Sequence, residues 1–166
     1  MWLDMRKWLT FLLLFTTVVI AEERTLPQTS QVIAVVVPAN QDADALQLTP
    51  NKIKQIFLRK QLYWPNGKRV LPVNLSTEHP LRNQFSKAVL GSLPSEQINY
   101  WNGLYFNGVR PPHVVNSEEA VIRYLGQTPG AVGYIDACKA DVRVAVAFWV
   151  DAHGVLAEAP DSLDCN

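Results

Sequence analysis

The sequence has little of the chemistry that catalytic or metal sites need. Its 166 residues include two cysteines and three histidines. The GxSxG, HExxH, Walker and GxGxxG motifs are all absent from it. His79, His113 and His153 are scattered, each in or beside a predicted loop, so we interpret each as an ordinary surface residue. We therefore expect no enzymatic activity, no cofactor and no metal.

The chain also lacks an excess of charge of either sign. Fifteen Lys and Arg residues balance fifteen Asp and Glu residues. Nucleic-acid binding and binding to acidic membranes both depend on a clustered basic face. A chain of this composition gives no electrostatic case for either, so we expect no nucleic-acid partner.

No apolar run is long enough for a membrane span of roughly 20 residues. The longest, Trp8–Ile20, follows the basic residues Arg6 and Lys7, and small residues stand at Val19 and Ala21. This pattern is typical of a secretory signal peptide cleaved after Ala21. An uncleaved N-terminal anchor is the alternative. We expect export to the periplasm, with a net charge of −1 on the mature chain.

The remaining chain is long enough for one domain. Residues 1–21 are predicted to be the signal peptide, 22–30 a flexible lead-in, and 31–166 a single domain. In an exported protein, the pair Cys138 and Cys165 is most simply a disulfide. A metal or redox pair is the alternative, but the sequence has no CxxC motif and no nearby histidine at ligand spacing.

Strand and helix patterns alternate along the domain and predict an α/β fold with a mixed sheet of about five strands. Thr49 before Pro50 and Ser117 before an amphipathic run predict two helix starts. Ser76 or Thr77 is expected to cap another helix. The helix near residue 100 carries aromatic residues at helical spacing, and we expect its inner stripe to pack in the core. That stripe comprises Ile98, Trp101, Leu104 and Tyr105.

One corner of the chain has the pattern of an anion site. A strand ends near Asn74 and a helix follows, which aims backbone N–H groups and hydroxyls at one point. The candidate anion ligands are Asn74, Ser76, Thr77, His79 and Arg82. The alternative is that the hydroxyls only cap the helix and Arg82 is solvated.

Several segments together resemble the phosphate-type substrate-binding proteins of bacterial ABC transporters. The matching residues are Ile56-Phe57-Leu58, Trp64, Asn66-Gly67, Pro72-Val73 and the run TPGAVGY at 128–134. The resemblance implies a three-layer lobe of the type II periplasmic-binding-protein kind, with a mixed sheet of about five strands flanked by helices. It also implies a small oxyanion such as phosphate as ligand, and a membrane transporter or sensor protein as partner.

The chain departs from that family in two ways. A mature chain of about 145 residues is similar to roughly one of the two lobes. Where the family has its Ser-Gly-Thr-Thr anion loop, this sequence has His79-Pro80-Leu81-Arg82, and the family's preceding arginine is replaced at Val73-Asn74. We therefore expect an accessory or sensory protein with weak or lost anion binding. The alternative is a genuine phosphate-binding protein, and a dimer could supply the second lobe.

Overall fold

The computed structural model describes residues 31–156, 158–163 and 165. The predicted signal peptide and lead-in lie outside these residues. Among the described helices, none combines the length and apolar character needed to cross a membrane. The helices and strands are β1 (Ile33–Pro38), α1 (Pro50–Phe57), β2 (Leu71–Leu75), α2 (Pro80–Phe85), α3 (Ile98–Phe106), β3 (His113–Val115), α4 (Glu118–Gln127), β4 (Ala131–Asp136), β5 (Val144–Asp151) and β6 (Gly154–Leu156).

The strands form one mixed sheet in the order β3-β2-β4-β1-β5-β6. Strand β2 is parallel to β3 and β4, whereas β1 is antiparallel to β4 and β5. The mixed α/β sheet is confirmed, but it has six strands in the described chain where the sequence predicted about five. The additional strand, β3, is a short edge strand with two exposed residues, so it lacks the buried apolar run that reveals a strand in sequence.

Strand β1 lies at the centre of the core, as its unbroken apolar sequence predicted. Every residue from Ile33 to Val37 is fully buried. The β-branched side chains suit this position because both neighbours are strands and both faces are covered.

Two adjacent residues of β4 point to opposite faces of the sheet and contact helices on each. They confirm the predicted three-layer arrangement. Gly133 faces α4, where an added Cβ would lie 2.6 Å from Cγ1 of Val121. The next side chain, Tyr134, points to the opposite face because side chains alternate along a strand. Its ring lies 3.9 Å from the Phe85 ring and stacks on it, with Phe57 of α1 close by. The sheet is therefore covered by α4 on one face and by α1 and α2 on the other.

The prediction that α3 packs in the core is wrong. Ile98 is 58% exposed, Tyr105 66% and Phe106 87%. The helix is attached through Tyr100, whose hydroxyl donates to the Leu58 carbonyl at 2.6 Å. Aromatic residues occur on several faces of this helix, so their spacing did not identify a single buried stripe.

The C-terminal part of the chain follows the sequence prediction. Strands β5 and β6 pair as a hairpin in which Asp151 lies opposite Gly154. A disulfide joins Cys138 to Cys165, with Cα atoms 5.4 Å apart. It attaches the end of the chain to the short 3₁₀ turn that follows β4.

Candidate functional site

Three parallel strands end at the same edge of the sheet. Strands β2, β3 and β4 terminate there at Leu75, Val115 and Asp136. We call this edge, with the residues that follow each strand, the carboxyl edge. Open α/β sheets bind ligands outside the carboxyl ends of their strands, so it is the first place to search for a site.

Helix α2 starts at this edge, and His79 is its N-cap. Pro80 takes the first helical position, where a missing N–H costs nothing. The Nδ1 atom of His79 accepts a hydrogen bond from the Leu81 amide at 3.3 Å. The prediction that Ser76 or Thr77 caps this helix is wrong, because Pro80 fixes the helix start three or more residues after those hydroxyls.

The hydroxyls of the predicted anion loop are turned toward a carboxylate. Thr77 Oγ1 donates to Glu78 Oε1 at 2.9 Å. The pKa of Glu78 lies below its ordinary value because its carboxylate accepts hydrogen bonds from its own amide and from the Thr77 and Ser76 hydroxyls. Glu78 is thus anionic at neutral pH. Its carboxylate occupies the hydroxyls that an incoming anion would need as hydrogen-bond donors.

A second carboxylate, Glu118 of α4, is buried at the same edge and fully engaged. Its Oε1 forms an ion pair with Lys139 Nζ at 2.6 Å and lies 3.9 Å from His79 Nε2. Its Oε2 accepts a hydrogen bond from the Asp136 amide. The hydrogen bond that Lys139 donates to Glu118 raises the pKa of Lys139, so this cation remains charged. The positive charge of Lys139 is therefore neutralised by Glu118 and is not available to another anion.

Arg82 and Asn74 lie in the interior beside this edge rather than at its surface. Arg82 is 6% exposed and Asn74 is 3% exposed. Nε and Nη1 of Arg82, Oδ1 of Asn74 and Oγ of Ser86 are buried without a hydrogen-bond partner among the described residues. Burial raises the pKa of the Tyr134 phenol, which the nearby Arg82 guanidinium opposes only in part. The interior thus holds unsatisfied donors, including a cation.

The structure divides the predicted site residues into two groups. One group lies at the surface of the carboxyl edge. In it, the Ser76 and Thr77 hydroxyls donate to the Glu78 carboxylate, and His79 caps α2. Asn74 and Arg82 are buried below it with free hydrogen-bonding atoms. All five residues are therefore in one region, but they do not converge on one open pocket.

The sequence analysis missed the acidic residues of this region. Glu78 lies in the loop between β2 and α2, Glu118 is the first residue of α4, and Asp136 is the last residue of β4. Because β2, β3 and β4 are parallel, that placement brings them to the same edge. Counted with Lys139 and Arg82, the carboxyl edge carries three acidic and two basic side chains. Within the described ranges, no group of three His, Cys, Asp or Glu side chains is arranged to hold a metal ion.

The fold resembles solved structures of phosphate-transport proteins. One is a putative phosphate ABC transporter substrate-binding protein with bound phosphate from Clostridium perfringens, at 18% identity and a TM-score of 0.54. Another is an ABC-type phosphate transport receptor from Vibrio cholerae, at 18% identity and a TM-score of 0.51. Each match covers 70% of this chain, but only 44% and 46% of the other chain.

This chain therefore aligns with less than half the length of either structure. No protein-family model and no curated protein matches it. At this identity the likeness establishes the fold, and it confirms the α/β lobe with a mixed sheet that the sequence resemblance implied.

Proposed function

We propose that this protein is an exported, non-enzymatic module that acts beside a phosphate or related oxyanion uptake system. It has an accessory or sensory role, binds the anion weakly or not at all, and works through a transporter or sensor protein. The fold shared with phosphate-transport proteins and the predicted signal peptide support this function.

The observation that carries the proposal is the position of Glu78. Its carboxylate accepts a hydrogen bond from the Thr77 hydroxyl at 2.9 Å, in the strand-to-helix corner directly before the position of the family's anion loop. A phosphate placed there could not use those hydroxyls, because they donate to Glu78. It would also lie close to the negative charge of Glu78, which is unfavourable for binding. Lys139 offers no compensation because it is paired with Glu118.

The strength of the remaining contacts also favours weak binding. A charge-assisted hydrogen bond contributes ~1.5–3 kcal/mol, and a dissociation constant of 1 mM already corresponds to ~4 kcal/mol. One or two such bonds from Arg82 would therefore give binding on the order of millimolar. Tighter binding would require a second surface that closes over the edge, which a partner protein could provide.

A second candidate function is that of a genuine phosphate- or oxyanion-binding protein of an ABC transporter. The buried Nε and Nη1 atoms of Arg82, which have no hydrogen-bond partner among the described residues, favour it, because a bound oxyanion could accept a charge-assisted hydrogen bond from one of them. This alternative predicts tight phosphate binding that is abolished by Arg82→Met. The accessory function predicts that neither the wild type nor this variant binds phosphate tightly.

Replacing Glu78 by glutamine should strengthen phosphate binding roughly three- to tenfold, because the change removes a like charge that water only partly screens. The measurement is a phosphate titration followed by amide chemical shifts in NMR, with sodium chloride at matched ionic strength as the reference. Amide shifts are suited to millimolar affinities.

The matched control is Glu158→Gln, which removes one negative charge from an exposed position in the C-terminal segment. It should leave the phosphate affinity unchanged. Equal affinities for the Glu78 and Glu158 variants would show that Glu78 does not limit anion binding at the carboxyl edge.

A further inference from the structure

A cavity of about 310 Å³ lies at the sheet edge opposite the carboxyl edge. Its lining comes from the connection between α1 and β2 and from the connection between α3 and β3. Arg69 precedes β2 by two residues, and Arg110 precedes β3 by three, so the cavity adjoins the amino ends of these parallel strands. It is lined by Arg59, Leu62, Arg69, Gly108, Val109 and Arg110.

The three arginines of this cavity differ from the exposed arginines Arg123 and Arg143. Arg143 is paired with Glu119 and Asp141 at 2.9 and 2.7 Å, and Arg123 lies 3.7 Å from Glu119. By contrast, no ion pair between described residues involves Arg59, Arg69 or Arg110. The cavity therefore concentrates positive charge that nothing in the described part of the protein neutralises.

Arg59 is held toward this cavity by an unusual backbone conformation. Its φ angle is +58°, in the left-handed region that non-glycine residues rarely adopt. Its Nη1 donates to the Val70 carbonyl at 3.2 Å, which fixes the side chain against the start of β2. Its Nε is buried and has no hydrogen-bond partner in the described structure. Arg59 directly follows the C-cap of α1, where a left-handed residue commonly ends a helix, and its amide donates to the Ile56 carbonyl at 3.0 Å.

Repulsion between the arginines is also evident. The pKa of Arg59 lies below its ordinary value because of burial and the neighbouring Arg69 charge. A structural role alone gives no reason to place like charges together. An anionic ligand would remove the repulsion and satisfy the buried Nε.

We propose that this arginine cavity binds a phosphate-type polyanion of the diphosphate class. Guanidinium groups present paired N–H donors that match the oxygens of phosphate groups. A water molecule takes about 30 Å³ of liquid volume. The cavity of about 310 Å³ would therefore hold several water molecules, and it has more room than a single orthophosphate needs. Three arginines from two chain segments can contact two linked phosphate groups at once.

The test is calorimetric titration of inorganic diphosphate into the full mature chain. The wild-type protein should bind diphosphate, and Arg69→Gln or Arg110→Gln should each weaken binding at least tenfold. Both side chains are exposed, so these variants should fold, and an unchanged melting temperature would verify it. Arg59 is left unchanged because its guanidinium also supports the Val70 carbonyl.

Arg123→Gln is the matched control, since Arg123 is an exposed arginine on α4 paired only with Glu119. It should change the affinity for diphosphate by less than twofold. No detectable binding to the wild type, or binding that survives the Arg69→Gln/Arg110→Gln double variant, would overturn the proposal.

This site is independent of the proposed function at the carboxyl edge. Glu78→Gln should alter the affinity for orthophosphate and leave diphosphate binding to the arginine cavity unchanged. A diphosphate affinity that depends on Glu78 and not on Arg69 or Arg110 would place that ligand at the carboxyl edge and refute the arginine cavity.

Discussion

Replacing Phe85 by alanine is expected to lower the free energy of unfolding by about 3–5 kcal/mol. Phe85 is fully buried at the end of α2. Its ring stacks on Tyr134 at 3.9 Å and meets the Phe57 ring edge-on at 4.7 Å. The substitution would remove both aromatic contacts and leave a cavity between α1, α2 and the sheet. Denaturant unfolding followed by circular dichroism measures the change.

Phe106→Ala provides the matched control for this prediction. Phe106 is 87% exposed at the end of α3, so the same substitution there should change the stability by less than ~0.5 kcal/mol. A loss below ~1 kcal/mol for Phe85→Ala would contradict the description of the core, in which this ring joins the helices of one face to β4.

The second large effect is expected for the disulfide. The Cys138→Ser/Cys165→Ser double variant should lose about 3–4 kcal/mol of stability. The bond spans a sequence separation of 27 residues, and the loop it closes restricts the unfolded chain. Chemical denaturation of the oxidised wild type and the double variant measures the difference.

Reduction provides the control for the disulfide prediction. A thiol reductant should destabilise the wild type by the same amount and should have no effect on the double variant. A difference below ~1 kcal/mol between the oxidised wild type and the variant would show that the C-terminal segment is held by its other contacts.

The parts of the fold that the sequence predicted have strong local signals. Thr49 Oγ1 accepts a hydrogen bond from the Lys52 amide at 3.2 Å, and Ser117 Oγ accepts one from the Ala120 amide at 3.2 Å. Both caps are defined by the residue type and its immediate neighbours. The central strand β1 and the β5–β6 hairpin were likewise evident from an apolar run and a turn.

The parts that the sequence did not predict depend on long-range packing. Strand β3 exists because it pairs with β2, and its exposed residues gave no apolar signal. The exposure of Phe106 depends on where α3 lies on the domain, which aromatic spacing does not define. At the start of α2, Pro80 takes the first helical position, so His79 is the cap and neither of the predicted caps, Ser76 and Thr77, is.

The candidate site residues lie at the carboxyl end of β2, and the acidic side chains around them were not predicted. The strand-to-helix corner identified the carboxyl end of β2. The contribution of Glu118 from α4 requires the parallel pairing of β2 with β3 and β4. The burial of Arg82 was not predicted from the sequence either, because an arginine in a short helix is more often solvated than buried.

The most direct test of the central proposal is calorimetric titration of phosphate into the mature chain alone, from residue 22 onward. The accessory function predicts a dissociation constant of about 1 mM or weaker, because the Glu78 carboxylate lies in the strand-to-helix corner and accepts the Thr77 hydroxyl, and Lys139 is already paired with Glu118. A submicromolar dissociation constant for phosphate would contradict it and would identify the chain as a substrate-binding protein in its own right.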